Sequence, residues 1–295
     1  MADEIKTGPR SGATSGAGPG AADARPYPRT DDTDLIADPA IAARHLADAA
    51  VAGGAVAVAM FRGGIRSWSK DNNSPVTEAD LAVDAMLRER LTGLAPDYGW
   101  LSEETADNPE RLGRRRLWIV DPIDGTRSYM AGRPDWCVAV ALVEDGRPIA
   151  GALYAPVTDE LFIAFAGGGA TRNGLPIAAG TRQELAGARL DAPPPLFDRV
   201  QAVAPVARGE RVHSLALRNA RVATGELDAA LASPNANDWD LAAADLLVHE
   251  AGGLLTTLSG NRLVYNASVP RHGALVSAGA SLHPSVLDAA RRGTS

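Results

Sequence analysis

The sequence predicts an α+β fold in which helices and sheets are stacked in layers. The chain has 295 residues, of which 45% are hydrophobic, enough for one large core or two packed halves. Segments with helical periodicity and short apolar β segments both occur along the chain. They interleave without the regular strand–helix alternation that is typical of a barrel or a doubly wound sheet.

The chain divides at a change in composition near its N-terminus. Residues 1–33 are rich in Gly, Ala, Pro, Ser and Asp and contain almost no large apolar side chains. We therefore expect a disordered tail there that plays no part in the chemistry. The remaining residues, 34–295, are expected to form one catalytic domain with two packed α+β halves, approximately 34–180 and 181–295.

Most of the predicted elements lie between clear start and stop signals. Asp38-Pro39 is typical of a helix start, and Gly63-Gly64 would end that helix near Phe61. A second helix is expected at about 77–94. Further predicted segments are strands at 98–102, 117–121, 136–144 and 149–155, a hairpin tip at 167–174, a strand near 200–204, a helix at 211–224, a strand at 227–232, and helices at 239–251 and 282–291.

Composition excludes several classes of protein. A net charge of −7 with a pI near 5.3 argues against broad binding of nucleic acid or anionic membranes. The one cysteine, Cys137, lies in an apolar run and is expected to be a buried structural thiol, which fits a reducing cytoplasm. No stretch resembles a signal peptide or a membrane span, since the longest candidate, 51–61, is short and rich in Ala and Gly.

The most informative motif is Asp-Pro-Ile-Asp-Gly-Thr at 121–126. It sets two carboxylates three residues apart at the end of an apolar strand, which Pro122 is expected to stop. Gly125 and Thr126 would then open a helix whose free N–H groups point at whatever the carboxylates hold. This arrangement suits Mg²⁺ bridging to a phosphate. An isolated motif of this kind would more often be a helix cap beside a turn.

Three further acidic segments are present, each with an ordinary explanation. Thr77 to Asp80 matches a capping box, Glu103 belongs to a Glu-Glu pair that water could solvate, and Asp240 could cap the helix that follows it. Glu103 and Asp121 are harder to dismiss, because both end apolar β segments. Strand ends are where α/β folds commonly present ligands to a site.

Taken together, the four segments resemble the inositol monophosphatase superfamily, the Mg²⁺-dependent, typically lithium-sensitive sugar and nucleotide phosphomonoesterases. The resemblance covers roughly residues 40 to 290. It implies a layered αβαβα sugar-phosphatase-type fold, often a homodimer, acting on a small phosphorylated metabolite. The matching motifs, in the family's order, are Ser-Pro-Val-Thr-Glu-Ala-Asp, Leu-Ser-Glu-Glu, Trp-Ile-Val-Asp-Pro-Ile-Asp-Gly-Thr and Trp-Asp-Leu-Ala-Ala-Ala-Asp with Glu-Ala-Gly-Gly.

The resemblance also implies a role for each motif residue, with two or three Mg²⁺ ions. Metal ligands would be the side chains or carbonyl of Glu103, Asp121, Ile123, Asp124 and Asp240, with Asp121 bridging two ions. Catalytic residues would be Glu103, Thr126 and Asp80, since Asp80 would orient the Thr126 hydroxyl. Substrate contacts would come from Asp124, Gly125, Thr126, Arg127, Ser214 and Asp240. No covalent phosphoenzyme is required, because activated water attacks the phosphorus directly.

The residues beyond the metal motifs favour one substrate without fixing it. Bisphosphate nucleotidases of the superfamily commonly carry Lys or Arg at the position of Arg127, where a guanidinium would meet a second phosphate. Histidinol-phosphatases also place a basic residue there, and an exposed arginine on a helix face is an equally good reading. His213 and Leu215 depart from the small residues usual at their positions, which puts inositol contacts in doubt.

The sequence therefore predicts a Mg²⁺-dependent phosphomonoesterase, with 3'(2'),5'-bisphosphate nucleotidase as the leading interpretation. Alternatives are an inositol-1-monophosphatase, a histidinol-phosphatase or, in another class, a binding protein associated with transcription complexes. The complete set of acidic motifs and the negative net charge weigh against the last.

Overall fold

The computed structural model describes residues 35–61, 67–69 and 75–292, so the predicted tail at 1–33 lies outside the described residues. The described α-helices are α1 Pro39–Met60, α2 Glu78–Leu94, α3 Thr126–Met130, α4 Pro194–Val203, α5 Leu215–Ala223, α6 Asp238–Glu250 and α7 His283–Arg291. The strands are β1 Ser67–Ser69, β2 Pro75–Thr77, β3 Gly99–Ser102, β4 Arg116–Asp124, β5 Cys137–Glu144, β6 Arg147–Ala155, β7 Glu160–Phe165, β8 Gly169–Arg172, β9 Leu175–Pro176, β10 Arg189–Asp191, β11 Ala207–Arg208, β12 Ala229–Ala232, β13 Ala236–Asn237, β14 Gly253–Thr257, β15 Arg271–His272 and β16 Leu275–Gly279.

These elements stack as five layers, in the order helix, sheet, helix, sheet, helix. A seven-stranded sheet has the order β3-β4-β5-β6-β7-β8-β9, and a five-stranded sheet has the order β11-β10-β12-β16-β14. Helices α1 and α2 cover the outer face of the first sheet, and α4 and α7 cover the outer face of the second. Helices α5 and α6 pack between the two sheets. The predicted layered αβαβα fold is confirmed.

Helix α1 begins at the N-cap expected from the sequence and packs as a core helix. Its N-cap, Asp38, accepts hydrogen bonds from the backbone N–H groups of Ala40 and Ile41, as the Asp-Pro signal predicts. By length and composition α1 is the one described helix that could cross a membrane. Half of its most apolar 18-residue segment, however, is buried inside the protein. It packs against β5 and β6, as a core helix does.

Two local predictions are wrong. Residues 200–204 were expected to be a strand, but Pro194–Val203 forms helix α4. Proline at its first positions is a helix-start signal, and the buried Leu196, Phe197 and Val200 have helical spacing rather than alternation. Strand β4 also does not stop at Pro122, since it continues to Asp124 through a break in its pairing with β5.

Helix α5 is shorter than its predicted range, 211–224. It begins at Leu215, because Ser214 is its N-cap and receives a hydrogen bond from Leu217 N on its Oγ. The serine hydroxyl accepts a hydrogen bond from a backbone N–H in the first turn that has no partner within the helix, and this cap determines where the helix starts. Residues 211–214 therefore form a non-helical segment that leads into the site described next.

Candidate active site

A bulge in β4 places two carboxylates of the Asp-Pro-Ile-Asp motif on one side of the sheet. The pairing of β4 with β5 shifts between Asp121, which pairs with Ala139, and Asp124, which pairs with Cys137. In a regular strand, residues three apart point to opposite faces. Pro122 has no N–H to give to the ladder, so it suits the extra length of the bulge. The bulge thus lets Asp121 and Asp124 meet.

Asp240 joins them from the first turn of α6. One oxygen from each of Asp121, Asp124 and Asp240 lies within 4.8 Å of the other two. Asp121 and Asp124 are buried, and Asp240 is partly exposed. Asp240 also accepts a hydrogen bond of 2.7 Å from Asn237 N, so it caps its helix as well as joining the cluster. Three of the four predicted metal-ligand side chains therefore lie together.

Burial and mutual repulsion raise the pKa values of this cluster. Burial raises the pKa of Asp121 well above its usual range, and the charges of Glu103, Asp124 and Asp240 raise it further. Burial raises the pKa of Asp124 to about 6, although a hydrogen bond from Ser214 opposes the rise. Burial and the charge of Asp124 also raise the pKa of Asp240. Carboxylates crowded in this way are stabilised by a bound cation.

Asp124 links the cluster to the N-terminus of α5. Its Oδ2 accepts hydrogen bonds from Ser214 Oγ at 2.5 Å and from Ala216 N at 2.6 Å. Because the first N–H groups of a helix carry partial positive charge, this end of α5 stabilises the charged carboxylate. Ser214, which the sequence assigned to substrate contact, thus lies directly against a predicted metal ligand.

Thr126 and Asp80 form the second predicted pair. Thr126 Oγ1 lies 3.4 Å from Asp80 Oδ1 and 3.1 Å from the Ile123 carbonyl oxygen, both within hydrogen-bond range. Asp80 Oδ2 accepts hydrogen bonds from Thr77 N and Thr77 Oγ1. Asp80 therefore completes the capping box of α2 and also contacts Thr126, while its catalytic role stays a prediction.

Glu103 reaches the cluster through parallel strand pairing. The last pair of the β3–β4 ladder joins Ser102 to Val120, so Glu103 follows the end of β3 beside Asp121 of β4. Glu103 N continues the ladder with a hydrogen bond of 3.3 Å to the Val120 carbonyl oxygen. The sequence placed both residues at strand ends, but only Glu103 follows one, because β4 continues past Asp121 to Asp124.

Sequence reasoning missed Asp84, a buried carboxylate on α2. It accepts hydrogen bonds from Ser102 and Thr105, the hydroxyl residues on either side of Glu103-Glu104. A usable signal was present, because Asp84 lies one helical turn after Asp80 and therefore on the same helix face.

Gly125 is required by the tight turn between Asp124 and Thr126. Its φ of +97° lies in the left-handed region, and a Cβ there would come within 2.9 Å of the Asp135 carbonyl oxygen. Any side chain would be strained at this position and would displace the neighbouring backbone. Helix α3 starts immediately afterwards at Thr126, as predicted.

A cavity of about 650 Å³ is lined by His213, the residue before Ser214, and by other side chains that are mostly charged. His213 Nδ1 lies 2.7 Å from Asp135 Oδ2, and His213 Nε2 lies 3.3 Å from an Arg133 guanidinium nitrogen. Arg127 is not among the lining residues, and it is exposed and forms no ion pair with any described residue. The lining residues are Arg133, Pro134, Asp135, Thr158, Glu160, Glu210, Arg211, Val212, His213, Leu217, Arg221 and Glu226.

Comparison with known proteins identifies the family. The sequence profile of the inositol monophosphatase family matches residues 40–294. The chain belongs to this family. Inositol monophosphatase family proteins are metal-dependent phosphomonoester hydrolases.

Several relatives within the inositol monophosphatase family are similarly close to this chain. Histidinol-phosphatase of Mycobacterium tuberculosis is 35% identical and the match covers 76% of this chain and 87% of the relative. The 3'(2'),5'-bisphosphate nucleotidase CysQ of Aggregatibacter actinomycetemcomitans is 34% identical, with coverages of 67% and 77%. A solved structure of the extragenic suppressor protein suhB of Bartonella henselae has a TM-score of 0.75 and 26% identity, with coverages of 85% and 98%. These relatives are similar to this chain to a comparable degree, but their names describe different roles.

The donor set of the site fits the metal expected for the inositol monophosphatase family. Asp121, Asp124 and Asp240 offer carboxylate oxygens and no nitrogen or sulfur. Hard divalent cations such as Mg²⁺ prefer oxygen ligands, whereas Zn²⁺ sites usually include His or Cys. The cluster is also buried enough that its negative charge needs compensation.

Proposed function

We propose that this chain is a Mg²⁺-dependent phosphomonoesterase that hydrolyses a small phosphorylated metabolite with activated water. The observation that carries the proposal is the cluster of Asp121, Asp124 and Asp240 within 4.8 Å, beside the Thr126–Asp80 contact. Two or three ions would be held by those three carboxylates together with Glu103 and the Ile123 carbonyl. When bound, Mg²⁺ supplies charge neutralisation for the phosphate and lowers the pKa of a water molecule.

Thr126 and Glu103 are proposed to orient the attacking water. The Thr126 hydroxyl has one proton, which it donates to Asp80 or to the Ile123 carbonyl. Its lone pairs then accept a hydrogen bond from water, which turns the water oxygen towards phosphorus. Glu103 would take up the water proton as a general base. The backbone N–H groups of Gly125 and Thr126 would hold phosphate oxygens.

Ser214, Asp124 and Asp240 are proposed to contact the substrate. Ser214 already donates to Asp124, so a substrate hydroxyl beside them would meet a fixed pair of polar groups. The leaving group would occupy the cavity lined by Arg133 and His213, the residue that precedes Ser214 in the chain.

Our leading substrate is adenosine 3',5'-bisphosphate, which would lose one phosphate to give AMP. Two features support it. Arg127 directly follows the Asp-Gly-Thr motif and is exposed, and Arg133 and Arg211 line the cavity. A guanidinium binds phosphate in a bidentate way, so these arginines suit a second phosphate. Inositol-1-phosphate and histidinol phosphate are the alternative substrates.

The test is phosphate release with and without Mg²⁺ from four compounds, namely adenosine 3',5'-bisphosphate, adenosine 3'-monophosphate, inositol-1-phosphate and histidinol phosphate. The two nucleotides differ only in the second phosphate. We expect the bisphosphate to have the highest kcat/KM. A clear preference for inositol-1-phosphate or histidinol phosphate would replace the leading substrate and keep the reaction class.

Arginine variants then show which residue holds the second phosphate. Arg127→Ala, Arg133→Ala and Arg211→Ala are compared on the two nucleotides. Replacing the residue that binds the second phosphate should raise KM for the bisphosphate and leave KM for the monophosphate unchanged. Equal effects on both nucleotides in all three variants would remove the second-phosphate assignment.

Three finer properties belong to the same proposal. We expect inhibition by Li⁺ and a homodimer, as the family resemblance implies, and a cytoplasmic location, which the single buried thiol favours. Li⁺ titration and mass measurement in solution test the first two. Folded protein that binds Mg²⁺ and hydrolyses none of the four compounds would favour the alternative role as a binding protein in transcription complexes.

A further inference from the structure

We propose that Asp84 is a positioning residue that holds Glu103 in the active site through the hydroxyls of Ser102 and Thr105. This inference rests on the proposed role of Glu103 as a metal ligand and general base. It concerns residues outside the metal motifs, and it explains why a buried carboxylate points at the loop that carries Glu103.

The hydrogen bonds at Asp84 use both of its carboxylate oxygens. Ser102 Oγ donates to Oδ1, and Thr105 Oγ1 donates to Oδ2 at 2.6 Å. Asp84 is only 7% exposed, so water does not replace these bonds freely. Hydrogen bonds to a charged acceptor are about twice as strong as neutral ones. Asp84 therefore ties two points of the loop to helix α2.

The two hydroxyls in turn hold the loop itself. Ser102 Oγ accepts from Glu104 N at 3.4 Å, and Thr105 Oγ1 accepts from Trp100 Nε1 at 3.3 Å. Each hydroxyl thus donates to Asp84 and accepts from the segment around Glu103. The chain is clamped before and after Glu103-Glu104, which restricts where the Glu103 carboxylate can lie.

Electrostatics explain why a clamp is needed. Glu103 lies close enough to Asp121, Asp124 and Asp240 to raise the pKa of each. The same repulsion pushes the partly exposed Glu103 carboxylate towards water in the absence of a cation. Two hydrogen bonds to Asp84 hold its backbone against that force and so preorganise the ligand set.

Helix α2 connects this clamp to the Thr126 contact. Asp80 and Asp84 are four residues apart in α2 and therefore lie on one face, a single turn from each other. Asp80 contacts Thr126, and Asp84 holds the Glu103 loop. One rigid helix thus sets the relative positions of the two groups proposed to orient water.

The test measures Mg²⁺ affinity of metal-free protein by calorimetry, without substrate, in wild type and in two matched variants. Asp84→Asn removes the charge and one acceptor, and the double variant Ser102→Ala/Thr105→Val removes both hydroxyls with no change in charge. We expect Mg²⁺ binding to weaken by roughly 10- to 100-fold in both, the usual effect of removing a partner of a metal ligand. The Mg²⁺ concentration for half-maximal rate should rise by a similar factor, while substrate KM at saturating Mg²⁺ changes little.

Two controls separate positioning from general damage. Asp228→Asn removes a comparably buried carboxylate, which accepts from Arg189 N in the second half of the chain, and should leave Mg²⁺ affinity unchanged. Thr105→Ser keeps the hydroxyl and should bind Mg²⁺ with wild-type affinity. Circular dichroism and a melting curve confirm folding of each variant.

Each contrary result has a distinct meaning. Weak binding in Asp84→Asn with normal binding in the double variant would show a charge effect and overturn the clamp. Equal losses in Asp228→Asn would show a general loss of stability and also overturn it. Wild-type protein that binds no Mg²⁺ would instead contradict the proposed function, which separates the two failures.

Discussion

At the scale of single residues, the candidate site depends on side chains that serve two neighbours at once. Asp124 belongs to the acidic cluster and also accepts a hydrogen bond from Ala216 N in the first turn of α5. Asp80 caps α2 and contacts Thr126. The sequence alone predicts only a helix cap for such residues, because the second partner comes from a distant segment.

The first prediction at the residue scale concerns the hydroxyl of Thr126. Thr126→Val keeps the shape of the side chain and removes its hydrogen bonds to Asp80 and the Ile123 carbonyl. We expect kcat to fall by about 100-fold or more, the size of a lost proton-orienting group, with little change in substrate KM. Thr126→Ser is the control and should keep most of the activity. Wild-type kcat in the Val variant would exclude Thr126 from water orientation.

Ser214 gives a stability prediction. Ser214→Ala removes the N-cap of α5 and one donor to Asp124, so the free energy of unfolding should fall by about 1 kcal/mol. Denaturant unfolding measures this change, with Ser214→Thr as the control that keeps the hydroxyl. An unchanged unfolding midpoint in the Ala variant would show that neither hydrogen bond stabilises the fold.

At the scale of elements, the bulged strand β4 and the helix α2 determine the geometry of the site. The family resemblance of the four acidic segments predicted the residues of the site, and the structure brings Asp121, Asp124 and Asp240 together. Sequence reasoning placed the strand end wrongly at Pro122, because a bulge depends on the partner strand β5. It missed Asp84 for a similar reason, since the hydroxyls of Ser102 and Thr105 meet it only after folding.

Helix α7 provides an element-scale prediction of pH dependence. Burial lowers the pKa of His283, whose Nε2 lies 3.0 Å from Thr256 Oγ1. The unfolded chain then binds a proton that the folded protein does not, so the stability from neutral His283 is complete above the unfolded pKa of about 6.5 and is lost as pH falls below it. Unfolding free energies measured from pH 7.5 to 5 should decrease more steeply in wild type than in His283→Gln. Parallel slopes would contradict this assignment.

At the scale of the whole molecule, the layered order of helices and sheets was predictable from the family resemblance, whereas the state of residues 1–33 stays a prediction. Apolar periodicity, which the sequence displays along most of its length, predicted the individual elements and the α+β class. The exception, α4, was misread because only Leu196, Phe197 and Val200 mark its buried face in a proline-rich segment. The expected division into halves near residue 180 also stays a prediction.

Metal binding should stabilise the whole domain. Mg²⁺ relieves the repulsion between Asp121, Asp124 and Asp240 in the folded state and has no comparable site in the unfolded chain. At a concentration 100 times its Kd, a single ion adds about 2.7 kcal/mol to the free energy of unfolding. The melting temperature should therefore rise with Mg²⁺ and fall again with a chelator. An unchanged melting temperature at high Mg²⁺ would count against a metal site in this cluster.

The most direct test of the central claim is phosphate release as a function of Mg²⁺ concentration in wild type and Asp121→Asn. We expect Mg²⁺-dependent hydrolysis in wild type and almost none in the variant at any Mg²⁺ concentration. Circular dichroism should show the same fold for both, since Asn has nearly the same shape as Asp. Substantial hydrolysis by well-folded Asp121→Asn, or hydrolysis by wild type without Mg²⁺, would contradict catalysis by metal ions held at this cluster.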